Sequence, residues 1–176
     1  MHITTDSIAL SEAIHDLMTS RGLTLSTAES CTSGRIAAIL TSVSGASDYF
    51  QGALVAYQDD VKTKWLGVDP QTIATYDVVS RQVAEQMVKG ACQLFGTDMA
   101  LASTGYAGGG TDTIPSGTIW IAWGRADDVH SLCLHEDCGR EANTANAAQT
   151  AVRKLLEYLS AAPSLRAPAS PPHASL

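Results

Sequence analysis

Residues 25–40, LSTAESCTSGRIAAIL, constrain the fold more than any other stretch. They begin like a buried strand, pass through small hydroxyl, thiol and acidic side chains, and leave with the apolar spacing of a helix. A strand that hands over directly to a helix is the building unit of α/β sheets, and it delivers Glu29, Ser30, Cys31 and Thr32 to the carboxyl edge, where such sheets bind ligands. The first helical amides, from Thr32 to Gly34, would be unpaired donors suited to a phosphate or an oxyanion. Simple capping by Ser30 or Thr32 accounts for the same residues without a ligand.

The remainder repeats this alternation. A helix is expected over 6–21, with Ile8, Leu10, Ile14, Leu17 and Met18 on one face and Gly22 as its stop. The helix after the opening strand covers about 33–42, followed by a short buried strand at 52–57 and a short helix closed by Gly67. Asp69 before Pro70 starts another helix, and Ser80 caps a longer one to Phe95 that turns Val83, Met87, Ala91 and Leu94 inward. A strand at 98–104 follows, then two runs joined by RADD as an antiparallel hairpin, and a last helix over about 141–160. Five strands interleaved with helices predict an α/β domain with a mixed sheet over residues 1–160. Residues 161–176 are rich in Pro, Ala and Ser, lack periodicity, and are expected to form a disordered tail.

At 176 residues and 45% hydrophobic, the chain can bury one sizeable core. Eleven Lys plus Arg against 18 Asp plus Glu give a net charge of −7, so no basic field recruits nucleic acid or an anionic membrane. No apolar run approaches the roughly 20 residues of a membrane span, and the opening residues do not read as a secretory signal, so a cytoplasmic protein is expected. Cys31, Cys92, Cys133 and Cys138 form no CxxC pair and are expected to be free thiols.

A second strand edge ends at Thr104 and Gly105, ahead of Gly108, Gly109 and Gly110. Those glycines could expose backbone amides to a ligand, or form no more than a flexible crossover. No GKS or GKT follows, which excludes a Walker A loop. Between the edges lie Ser47, Tyr57 and Lys62. A serine attacks an acyl carbon only when another group takes its proton, and a lysine or tyrosine of lowered pKa can replace histidine there. Tyr57 as a strand residue and Lys62 as a solvated helix residue is the plainer alternative. The HEDC run at 135–138 lacks a second spaced ligand pair, so no metal site is expected.

In order along nearly the whole chain, TAESCTSGRIAAILTSVSGASDYFQGALVAYQDDVKTKWLGV, VVSRQVAEQMVKGA, STGYAGG and PSGTIWIAW resemble the C-terminal domain of the CinA (competence/damage-inducible) proteins. The resemblance implies a three-layer α/β/α sandwich around a five-stranded mixed sheet. Because free-standing members are nicotinamide mononucleotide deamidases, it also implies an amidohydrolase of pyridine nucleotide salvage. That enzyme would convert nicotinamide mononucleotide to nicotinic acid mononucleotide and ammonia, without metal or cofactor, as a homodimer or higher homo-oligomer. Carried over by position, the implied site holds Ser47 as nucleophile with Tyr57 or Lys62 as base, and Ser30 as the alternative nucleophile. Glu29, Cys31, Thr32, Gly34, Thr104, Gly105 and Arg140 are the implied substrate contacts. The chain departs from the family pattern at Ser33, Tyr106, Ile114 and Thr144, the last two standing where a lysine and a second arginine are usual. A nucleotide- or protein-binding module without turnover is the competing expectation.

Overall fold

All five residues of β1 (Leu25–Glu29) are buried, because the strand lies inside a sheet with helices on both faces. The computed structural model describes residues 3–162, 164 and 165. Around β1 the chain runs through α1 (Thr5–Arg21), α2 (Arg35–Leu40), a 3-10 turn (Ala46–Asp48), β2 (Phe50–Val55), α3 (Asp59–Leu66), α4 (Pro70–Tyr76) and α5 (Arg81–Phe95). It ends with β3 (Met99–Gly105), the hairpin β4 (Ile119–Arg125) and β5 (Asp128–Leu134), and α6 (Arg140–Ala161). The strands lie in the order β2-β1-β3-β4-β5, with β1 parallel to both neighbours and β4 antiparallel to β3 and β5. The sheet is therefore mixed, as expected.

The pleat separates two cores. Leu25, Met99, Leu101, Ile119 and Ile121 point to one face, under α1, α2 and α6. The opposite face carries Ala28, Ala100, Ala102 and Ala122, small side chains over which α5 packs closely through Val83, Met87 and Val88. Helix ends follow local chemistry. Asp69 and Ser80 accept the amides of Gln71 and Val83, while Gly22 and Gly96 take the left-handed conformation that ends α1 and α5.

Four expectations change. The buried stripe of α1 is Ser7, Ser11, Ile14 and Met18, leaving Ile8 37% exposed; Ser11 fits there because its hydroxyl donates to the Ile39 carbonyl at 2.7 Å. In α5 the stripe continues from Ala91 to Phe95, which closes over Gly52, so Leu94 turns outward. β2 is an edge strand of alternating exposure rather than a buried one. The helix expected over 33–42 is only α2, since Ser33 and Gly34 have positive φ and precede it. The tail lies almost wholly outside the described residues.

Candidate active site

The turn between β1 and α2 is organised by Glu29, which is fully buried. Its Oε2 accepts the Thr32 hydroxyl at 2.7 Å and the amides of Gly34 and Ile36 at 2.9 and 3.1 Å. Its Oε1 accepts the Thr27 hydroxyl at 3.2 Å and the Ala37 amide at 2.9 Å. The carboxylate thus occupies the positive end of α2 and satisfies the amides of Gly34, Ile36 and Ala37, of which the first is among those the sequence offered to a ligand. Thr32 is buried and shared with the Ser103 hydroxyl at 2.7 Å. The side chains of Glu29 and Thr32 and the backbone of Gly34 therefore build the turn, and none of the three lines the cleft beside it, although all were expected as substrate contacts.

That cleft, of about 200 Å³, opens at the carboxyl ends of β1 and β3. Ser30, Cys31, Tyr57, Lys62, Thr104, Gly105 and Arg140 all line it, joined by Asp59 and Tyr106. The Ser30 hydroxyl has no hydrogen-bond partner among the described residues. The amides of Cys31 and Thr32, next in the chain, donate to no backbone acceptor.

Lys62 is 1% exposed, far from the solvated helix residue its sequence allows. Its Nζ donates to the Tyr57 carbonyl at 3.3 Å and lies 3.6 Å from the Asp59 carboxylate. Burial lowers its pKa from the ordinary 10.5, opposed by Asp59. Burial acts on Cys31 in the other sense, pushing its thiol up to about 12 and leaving it protonated and inert. Arg140, the first residue of α6, donates to the Tyr57 hydroxyl at 2.6 Å.

The opposite wall is pinned by Thr104, whose hydroxyl donates to the Val78 carbonyl at 2.9 Å. Asp77 holds φ 70, ψ 155, a conformation costly for a residue with a side chain, and accepts the Val79 amide at 2.8 Å and the Tyr106 hydroxyl at 3.3 Å. Gly105 serves packing, since a Cβ there would stand 2.6 Å from Ile119. Asn143 fastens the glycine loop to α6 by donating to the Ala107 carbonyl at 2.8 Å while accepting the Cys138 amide at 2.9 Å.

Ser47 is not brought into the cleft. It is exposed on the 3-10 turn that precedes β2, and the pairing of Leu25 with Phe50 puts that turn at the opposite edge of the sheet from Glu29 and Tyr57. Ile114 closes a tight turn on Thr111 and lines no part of the cleft. Among the described residues, no three His, Cys, Asp or Glu side chains gather as a metal ion would require, and no helix is long and apolar enough to cross a membrane.

These features define an α/β domain whose polar cleft sits at the carboxyl ends of parallel strands. The chain belongs to the CinA C-terminal domain family, whose model it matches over residues 7–159. Curated relatives called CinA-like protein include one from Shewanella pealeana, 44% identical over 131 residues that make up 73% of this chain and 31% of the relative. Another, from Cytophaga hutchinsonii, is 38% identical over 157 residues, 86% of this chain and 38% of its own. The chain thus spans about a third of the length of these relatives. Competence/damage inducible protein CihA from Agrobacterium tumefaciens has a similar solved structure, with TM-score 0.85 and 35% identity, covering 91% of this chain and 99% of that one. A CinA superfamily protein from Klebsiella pneumoniae gives TM-score 0.84 and 32% identity, covering 88% and 98%.

Proposed function

We propose that the cleft is the active site of an amidohydrolase that converts nicotinamide mononucleotide to nicotinic acid mononucleotide and ammonia. One observation carries the reading: a buried lysine of lowered pKa shares a cleft with a serine whose hydroxyl is unpartnered. Lys62 in its neutral form takes the Ser30 proton as Oγ attacks the carboxamide carbon. The Cys31 and Thr32 amides stand next to that serine as donors to the developing oxyanion. As the tetrahedral intermediate collapses, its nitrogen takes the proton from Lys62 and leaves as ammonia. Water then hydrolyses the Ser30 ester to the carboxylic acid. Arg140 is placed to bind the anionic end of the substrate.

Within one chain Ser30, rather than Ser47, fills the nucleophile's place. Ser47 would meet a Lys62 only in an assembly in which a second copy brings it there. Purified protein incubated with nicotinamide mononucleotide should release ammonia, and Lys62→Met should abolish the release while the protein remains folded. No release from the wild-type chain would leave the second reading, nucleotide binding without turnover. That reading is favoured by the ion pair between Asp59 and Lys62, which opposes the neutral amine that the reaction needs.

A further inference from the structure

We propose that Arg35 is the second cation of the substrate's phosphate end, and that Glu141 holds it in position until the phosphate displaces the carboxylate. The inference rests on the mononucleotide reading above and extends it to a residue that the resemblance did not assign to the site. A shallow cavity of about 250 Å³ adjoins the cleft, sharing Cys31 and Arg140 with it. Its remaining lining is Ser33, Arg35, Glu141 and Thr144. The position where the family resemblance leads one to expect a second arginine is thus neutral, and a guanidinium reaches the same cavity from the facing helix.

Placement of the two arginines is costly unless an anion joins them. Arg35 is the first residue of α2 and Arg140 the first of α6. Cations are disfavoured at helix N-termini, where the peptide dipoles already present positive charge. Glu29 answers the dipole of α2 from inside but leaves the two guanidiniums facing one cavity. Among the described residues the sole carboxylate in that lining is Glu141, which accepts from Arg35 Nη2 at 2.5 Å. Arg35 depresses the Glu141 pKa through that hydrogen bond, so the carboxylate stays ionised and keeps the guanidinium oriented.

The pair is well suited to exchange. Glu141 is 78% exposed, and an ion pair in solvent is worth little. Arg35 is 20% exposed and also lines a neighbouring cavity with Ile39 and Ala148, so the guanidinium is held near the site without being fully buried. A phosphate monoester dianion presents more charge and more acceptor oxygens than one carboxylate, and it can accept from both guanidiniums together. Thr144 donates to the Glu141 carbonyl at 3.0 Å and so does not compete as a cation would.

Isothermal titration with ribose 5-phosphate, nicotinamide mononucleotide and nicotinamide riboside tests this on wild type, Arg35→Gln, Glu141→Gln and the double variant. Arg35→Gln keeps the packed stem, and a thermal melt of each variant confirms folding. Arg35→Gln should weaken both phosphorylated ligands by about tenfold or more, the effect of losing a charge-assisted hydrogen bond, and leave the riboside unchanged. Glu141→Gln should tighten the phosphorylated ligands, and the gain should vanish in the double variant. Equal binding of ribose 5-phosphate by wild type and Arg35→Gln, or no binding by wild type, overturns the assignment of Arg35. Ribose 5-phosphate has no carboxamide, so Arg35-dependent binding without ammonia release from the mononucleotide condemns the amidase reading and upholds Arg35.

Discussion

Glu29 accepts the Gly34 amide at 2.9 Å through the same oxygen that takes the Thr32 hydroxyl, and this contact joins the end of β1 to the start of α2. The glutamate of the ESCT turn is an internal anion where a ligand's anion would otherwise sit. Glu29→Ala would leave three backbone amides and two hydroxyls without their acceptor in a buried site. The expected loss of stability is on the order of 3–5 kcal/mol, given the cost of each stranded donor. Glu29→Gln keeps the shape but turns an amide group toward one set of donors, so it should lose less than alanine and still be destabilised. Urea unfolding of the three proteins measures both, and an alanine variant as stable as wild type would refute the role.

Cys31 lines the cleft but should not act as a nucleophile, because burial holds its thiol protonated at about 12. Iodoacetamide at neutral pH should label the exposed Cys138 first and spare Cys31. Peptide mapping of the alkylated protein reads this directly, with rapid labelling of Cys31 as the contrary result.

Lys62 links the site to stability. Its folded pKa is lowered from 10.5, so between the folded and unfolded values the unfolded chain binds more protons and stability rises with pH. The penalty of burying the ammonium is fully present below the folded value and gone above 10.5. Cys31 and Tyr49, both raised by burial, act oppositely and lose their contribution as pH climbs. Chemical unfolding of wild type and Lys62→Met across this range isolates the lysine. Wild type should gain on the variant as pH approaches 10.5, and a constant difference would argue against a neutralising lysine.

Much of the fold is written in local chemistry. Gly22 and Gly96 mark helix ends because the left-handed conformation is open to glycine, and Asp69 and Ser80 mark starts because their oxygens reach the first free amides. Ser30, Thr104 and Gly105 were legible as cleft residues because they lie at strand ends or just beyond them, whereas Lys62 within α3 was one of two candidate bases and Arg140 at the start of α6 entered only through the family resemblance. Glu29 was not, since a carboxylate after a strand looks alike whether it faces a ligand or caps a helix. Ser47 depended on which end of β2 it precedes, fixed only by the register with β1. Arg35 and Glu141 are 106 positions apart, and Asn143 and Ala107 are 36 apart, separations that leave no local signal.

Tyr57 is half exposed, and its hydroxyl is committed to Arg140. With Lys62 as the base, Tyr57→Phe should retain kcat within a few-fold and raise KM by loosening Arg140. Arg140→Ala should weaken binding of nicotinamide mononucleotide far more than binding of the riboside. Steady-state kinetics and titration of both variants check the pair; a collapse of kcat in Tyr57→Phe would transfer the role of base to the tyrosine.

Ammonia release from nicotinamide mononucleotide by wild type, Ser30→Ala and Ser47→Ala tests the central claim most directly. The cleft geometry predicts turnover by wild type and Ser47→Ala and none by folded Ser30→Ala, since of these two serines it is Ser30 that shares the cleft with Lys62. Normal release by Ser30→Ala, with loss in Ser47→Ala, would contradict it.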